Sequence, residues 1–241
     1  KNNGYTAAHR AARAGKAGAL RVMKELGYSI AETDNSGLLA THVAGEEGHV
    51  EVLRVLSSLG CPLAEKSSGG RTAAHLAAKM GKVEALWALR DLGCPMEEKD
   101  NNGCTAAHLA AHGGYVSALW ALRKLGCPMA DTDNNGCTPV HFAIQEGRVE
   151  ALHVLRDMGC PVAVRDSDGS TAAHWAAAAG RADTLRALRD LGCPMAEKDN
   201  NGHTAAFVAA LEGHVEVLRA LRNFGCPMAE RGSEGVTPTF W

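Results

Sequence analysis

Asp100-Asn101-Asn102-Gly103-Cys104-Thr105-Ala106-Ala107-His108-Leu109-Ala110-Ala111 is a turn followed by the start of a small-residue helix. Asp and Asn side chains bond their own backbone and Gly accepts positive φ, so the first four residues reverse the chain. Thr105 can cap the helix that follows, and its alanines let that helix press closely on neighbours. Gly113-Gly114 ends it. Val116, Leu119 and Leu122 then mark the apolar stripe of a second helix. Gly126-Cys127-Pro128 stops the second helix, because proline cannot continue it. Two short helices cannot bury their apolar faces alone, but stacked on copies of themselves they can.

The copies are present. Gly103 belongs to a series running Gly4, Gly37, Gly70, Gly103, Gly136, Gly169, Gly202 and Gly235, a period of 33 residues with no insertion. Gly15 to Gly213 and Gly27 to Gly225 form two more series in phase. Histidine recurs at His9, His42, His75, His108, His141 and His174. The units are 1–33, 34–66, 67–99, 100–132, 133–165, 166–198 and 199–231, with a partial eighth at 232–241. Self-similarity at such a period means a stacked array.

The run Gly-x-Thr-Ala-Ala-His-x-Ala-Ala, followed by Gly-His-Val-Glu-Val-Leu, resembles the ankyrin repeat. Gly136-Cys137-Thr138-Pro139-Val140-His141 and Gly213-His214-Val215-Glu216-Val217-Leu218 carry the likeness best. It implies an all-α ankyrin-repeat solenoid, 1–241 as a single domain, with a β-hairpin-like loop and a helix pair in each repeat. It also implies that the histidines tie one loop to the next, and that partners bind a concave face of hairpin tips and first helices. The sequence departs from the family at Gly-Cys-Pro-Met-Ala, which stands where Gly-Ala-Asp-Val-Asn is usual. Leu39 replaces the expected Thr and Phe207 replaces the seventh His, so weaker loop-to-loop bonds are expected in those two units.

Bulk properties narrow the function. A formal charge of −2 argues against general affinity for nucleic acid or anionic lipid. No apolar run reaches the roughly 18 residues that a membrane helix needs. The opening Lys1-Asn2-Asn3-Gly4 has neither an initiator Met nor a signal-peptide pattern, so the chain reads as a fragment of a longer parent. Six of the eight cysteines lie 33 apart, from Cys61 to Cys226, and Cys104 and Cys137 make another such pair. Equivalent positions in stacked helical layers are roughly 8–10 Å apart, whereas a disulfide needs Cα atoms within about 7 Å. Free thiols and a reducing, intracellular compartment, most simply the cytoplasm, are therefore expected.

No catalytic signature is present: no P-loop, no H-E-x-x-H and no G-x-S-x-G. Cys104, His108 and His112 share a helical spacing that could suit zinc, but Cys104 precedes the helix and His108 belongs to the loop ladder. Neither a metal, a cofactor nor an activated thiol is expected. The candidate partner-binding residues are those that vary while the frame repeats. After the turn glycine they are Tyr5, Leu38, Arg71, Cys104, Cys137 and His203. At the end of the first helix they are Arg13, Glu46, Glu47, Lys79, Met80, His112, Gln145, Glu146 and Leu211. Leu38, Met80, Cys104, Cys137 and Leu211 are expected to be exposed, which without a partner costs solubility. Trp87 and Trp120 share one second-helix position where other units carry Arg or His, which suggests a partly exposed pair on the convex side. Phe142 and Trp175, inside the first-helix motif, are expected in the core. The second-helix arginines alternate with Glu and Asp and read as a solvated, charge-balanced face.

The chain is thus expected to be a non-catalytic protein–protein interaction module or scaffold. A structural spacer in a large assembly and a regulatory array attached to an effector domain are the alternatives. Arg10 gives the first unit a polar outer face suited to a cap, and Thr237–Trp241 begins a further unit that continuation or a partner would cover.

Overall fold

A computed structural model describes residues 4–228, and the expectation for Thr237–Trp241 lies outside them. The chain divides into two compact units, Lys1–Pro128 and Met129–Trp241.

In the first unit the first helices of successive repeats are α1 (Ala7–Arg13), α3 (Ala40–Glu47), α5 (Ala73–Lys79) and α7 (Ala106–Gly113). The second helices are α2 (Ala17–Glu25), α4 (Val50–Ser58), α6 (Val83–Asp91) and α8 (Val116–Lys124). The second unit holds α9 (Pro139–Gln145), α11 (Ala172–Ala178) and α13 (Ala205–Leu211), paired with α10 (Val149–Asp157), α12 (Ala182–Asp190) and α14 (Val215–Asn223). Each of the seven full repeats therefore gives the expected helix pair among the described residues.

The core of each unit is one layer of alanine and one of leucine. Ala44, Ala77 and Ala110 are fully buried in the first helices, so their backbones approach closely. Leu53, Leu86 and Leu119, equivalent residues of α4, α6 and α8, are also fully buried. Leu152 and Leu185 repeat the arrangement in the second unit. No described helix exceeds nine residues, so each is too short to hold in water unless its neighbours pack on it.

Glycine ends the first helix for two reasons. Gly81 has φ +66°, and a Cβ there would stand 2.6 Å from the Tyr115 ring of the next repeat. The residue after this glycine spans two repeats elsewhere too: His49 Nε2 donates to the Arg13 carbonyl (3.0 Å) and His214 Nε2 to that of Ala178 (3.0 Å).

The turns are built by their first residue. Asp100 Oδ1 accepts the amides of Asn102 (2.9 Å) and Cys104 (3.0 Å), and Asp34, Asp133, Asp166 and Asp199 do the same. Successive turns then bond backbone to backbone: Ser68 N to Ser36 O, Asn101 N to Gly69 O, Asn200 N to Asp168 O. Isolated antiparallel bridges at Arg165–Thr171 and Lys198–Thr204 are all the strand structure among the described residues, which explains why the loops are only hairpin-like.

All eight cysteines are free, seven buried and Cys226 half-buried. Burial pushes the Cys94 thiol up to about 11, and raises Cys61, Cys193 and Cys226 as well. The thiols also donate across repeats, Cys94 Sγ to Leu63 O (3.5 Å) and Cys160 Sγ to Met129 O (3.3 Å). The Gly-Cys-Pro motif thus fills a small apolar niche and supplies a weak donor to the preceding repeat.

Candidate interaction surfaces

The histidine ladder is structural. Thr72 N donates to His75 Nδ1 (3.2 Å), the Thr72 hydroxyl lies 2.9 Å from the same nitrogen, and Nε2 donates to Cys104 O (3.0 Å). His9, His42 and His174 likewise reach the carbonyls of Leu38 (2.7 Å), Arg71 (3.0 Å) and His203 (2.9 Å). Each of these four rings closes its own helix start and ties it to the following loop. The expected weakness of the loop contact in repeat 34–66 is corrected: His42 keeps it despite Leu39, because the ring and not the Thr hydroxyl makes the bond. What Leu39 removes is the hydroxyl on Nδ1. Where Phe207 replaces His, the Thr204 hydroxyl accepts the Phe207 amide instead (3.2 Å).

Burial holds the His42 and His75 rings below their ordinary value of 6.5, against the backbone hydrogen bonds that favour charge. A lowered folded value means that only the unfolded chain takes up these protons just below pH 6.5. Their contribution to stability is complete above that value and is lost as pH falls from it towards the folded value. The loss is at most about 1.4 kcal/mol per pH unit for each ring. Urea midpoints should therefore fall between pH 7.5 and pH 5.5, and a flat profile would contradict the neutral-ring account.

The variable residues divide by exposure. Met80 is 41% exposed and Leu211 72%, at the ends of α5 and α13. Lys79, His112 and Gln145 are also exposed, and Leu38, Glu46, Glu47, Arg71, Glu146 and His203 are half-buried. Arg13 pairs with Glu47 (3.1 Å) under the Tyr5 ring, and Arg71 with Asp100 (3.2 Å). Arg181 lies near Glu146 (3.9 Å). Cys104 and Cys137, expected to be exposed, are buried at 5% and 3%. Their amides bond Asp100 and Asp133, and the Cys104 carbonyl takes His75 Nε2, so the backbone is held into the loop stack and a short side chain stays covered.

Trp87 and Trp120 are 40% and 41% exposed at equivalent positions of α6 and α8, with Tyr115 at 37% at the start of α8. The expectation of partial exposure holds. The charged face between second helices is solvated: Arg156 pairs with Asp157 and Arg219 with Glu216, both in water, where such pairs contribute about 0–1 kcal/mol.

Phe142 and Trp175 correct the reading in the opposite direction. Both are half-buried and reach the surface of the first helices. Trp175 Nε1 donates to Asp166 Oδ2 (2.9 Å), and the His141 ring meets the indole edge-on at 5.5 Å. Trp175 lines a pocket of about 190 Å³ with Asp166, Ser170, His174, Ala178 and Val208. One signal for this was readable: the same repeat position holds Arg10, and arginine seldom occupies a core.

Among the described residues, no three His, Cys, Asp or Glu converge as metal ligands. Nor is any described helix long and apolar enough to cross a membrane. Helix pairs stacked at one fixed period define a helical-repeat solenoid. The model of the ankyrin repeats (3 copies) matches residues 59–129, 74–166 and 158–232, well over half the chain. The protein belongs to the ankyrin-repeat family, whose domains are in general modules that bind other proteins and are typically not catalytic. The crystal structure of the human ASB11 ankyrin repeat domain is similar over 90% of this chain and 98% of that one, with a TM-score of 0.78. At 20% identity that likeness shows the fold alone. No curated protein matches the chain.

Proposed function

We propose that the chain is a non-catalytic scaffold that holds a protein partner on the face formed by hairpin loops and first-helix ends. The observation that carries this reading is the exposure of Met80 and Leu211 at those ends. The repeat frame does not use them, and apolar side chains held in water favour being covered. Residues that serve the frame on the same face, such as Cys104 and His75, are buried and bonded.

A second reading, a structural subunit held through its second helices, rests on the half-exposed Trp87 and Trp120 pair, since tryptophan dominates many interface hot spots. Affinity capture separates the two. With Leu38, Met80, His112 and Leu211 each changed to Glu, the retained partner should fall at least tenfold. Trp87→Ala with Trp120→Ala should leave it unchanged, and the reverse pattern would establish the second reading.

A further inference from the structure

Among the described residues Trp175 is the only tryptophan at its position in the repeat, and it sits against a carboxylate. We infer that the Trp175–Asp166 pocket of the second unit is a seat for an arginine side chain of the partner polypeptide. This rests on the hairpin and first-helix reading of the interface and gives it a chemical preference.

The pocket's wall carries one formal charge. Asp166 Oδ1 accepts the amides of Asp168 (3.0 Å) and Ser170 (2.8 Å), and Oδ2 accepts Trp175 Nε1 (2.9 Å). All three donors are neutral, so they fix the carboxylate without cancelling its charge, and Oδ2 keeps a lone pair for a further donor. His174 is a spent wall, with Nδ1 on Thr171 and Nε2 on His203 O. Ser170 adds a hydroxyl, and Ala178, Val208 and the indole are apolar. A guanidinium suits this set: its plane stacks on an indole, its N–H groups reach the free lone pair, and it is more weakly hydrated than an ammonium group.

The surroundings carry the same sign. Glu146 and Glu212 close the first helices before and after α11, and Asp168 and Asp199 lie in the turns above it. Of the cations on this side, Arg165 already holds Glu197 and Arg181 lies near Glu146. One repeat further on, Leu211 offers an exposed apolar contact. Repeats stack about 8–10 Å apart and an extended chain advances about 3.3 Å per residue, so an apolar side chain about three residues beyond the arginine would reach it.

The test uses the full chain with its indole nitrogens labelled. The probes are acetyl-Gly-Arg-Ser-Gly-Leu-Gly-amide and the same peptide with Gln for Arg. The arginine peptide should shift the Trp175 indole N–H resonance saturably, and the glutamine peptide should bind at least tenfold more weakly. The variants are taken from the protein's own repeats. Ser67 occupies the place of Asp166, and Leu76 and Leu109 that of Trp175, so Asp166→Ser and Trp175→Leu keep residues the fold already accepts. Asp166→Ser should weaken the arginine peptide at least tenfold on the indole resonance. Trp175→Leu should do so on the Val208 methyl signals. Equal response to both peptides, no response to either, or full binding by Asp166→Ser overturns the proposal. If the peptides fail while Leu211→Glu still abolishes capture, the arginine seat falls and the interface reading stands. If the peptides bind while capture ignores every first-helix variant, the seat stands and the interface reading falls.

Discussion

Replacing Leu86 with alanine should destabilise the first unit by about 2–5 kcal/mol, whereas Leu26→Ala should change it by less than about 0.5 kcal/mol. Leu86 is fully buried in α6, which packs on α5 of its own repeat and on α4 and α8 of its neighbours. Truncation removes apolar area from water's exclusion and leaves a cavity that helices held at a fixed spacing cannot close. Leu26 is 69% exposed at the end of α2, so little is lost there. In a stacked array the stability is a sum of each repeat's own term and its interfaces, and Leu86 serves its own repeat and two interfaces. The measurement is the urea midpoint of each variant, read by circular dichroism. A Leu86→Ala midpoint within error of the parent would mean that the leucine layer does not hold the repeats together.

Periodicity made the fold legible because most repeated residues have the same task in each repeat. The turn aspartates, the positive-φ glycines, the buried alanines and the histidine ladder could be read from one repeat and carried to most of the others, with Ser67 and Phe207 as exceptions. Side-chain cover was harder to read. Cys104 and Cys137 vary in sequence as surface residues do, yet are buried, because exposure after the turn depends on side-chain length: Arg71 reaches out from the position where Cys104 is covered. Trp175 failed the other way. Its position is buried when filled by Val43, Leu76 or Leu109, but Arg10, Phe142, Trp175 and Val208 there are exposed or half-buried, so the period alone does not fix its cover. Its bond to Asp166 joins residues nine apart through a turn, which no periodic pattern reports. Function was the least legible part, because the residues that repeat are those used in stacking.

Gly70→Ala should be the most damaging single-methyl addition in the first unit, and Gly93→Ala its control. Both glycines have left-handed backbone, φ +76° and +85°. Any L-residue in that region costs about 1–2 kcal/mol, so both variants share this term. They differ in surroundings. A Cβ on Gly93 meets nothing within 4 Å. One on Gly70 would stand 2.6 Å from the Asn101 backbone nitrogen and against Asn101 Oδ1. The neighbour cannot yield cheaply, because Asn101 N is bonded to Gly69 O (3.1 Å) and its side-chain amide to Ser68 O (2.9 Å). Relief requires the two turns to part, which breaks those bonds and strains the nearby His75 link to Cys104. At about 1 kcal/mol for each net hydrogen bond lost, Gly70→Ala should exceed Gly93→Ala by about 2–3 kcal/mol. Hydrogen exchange supplies the local readout: the amides of Asn101 and Cys104 should lose protection in Gly70→Ala and keep it in Gly93→Ala. Equal destabilisation by the two variants would show that the turns do not couple the repeats, and that the helices alone carry the stack.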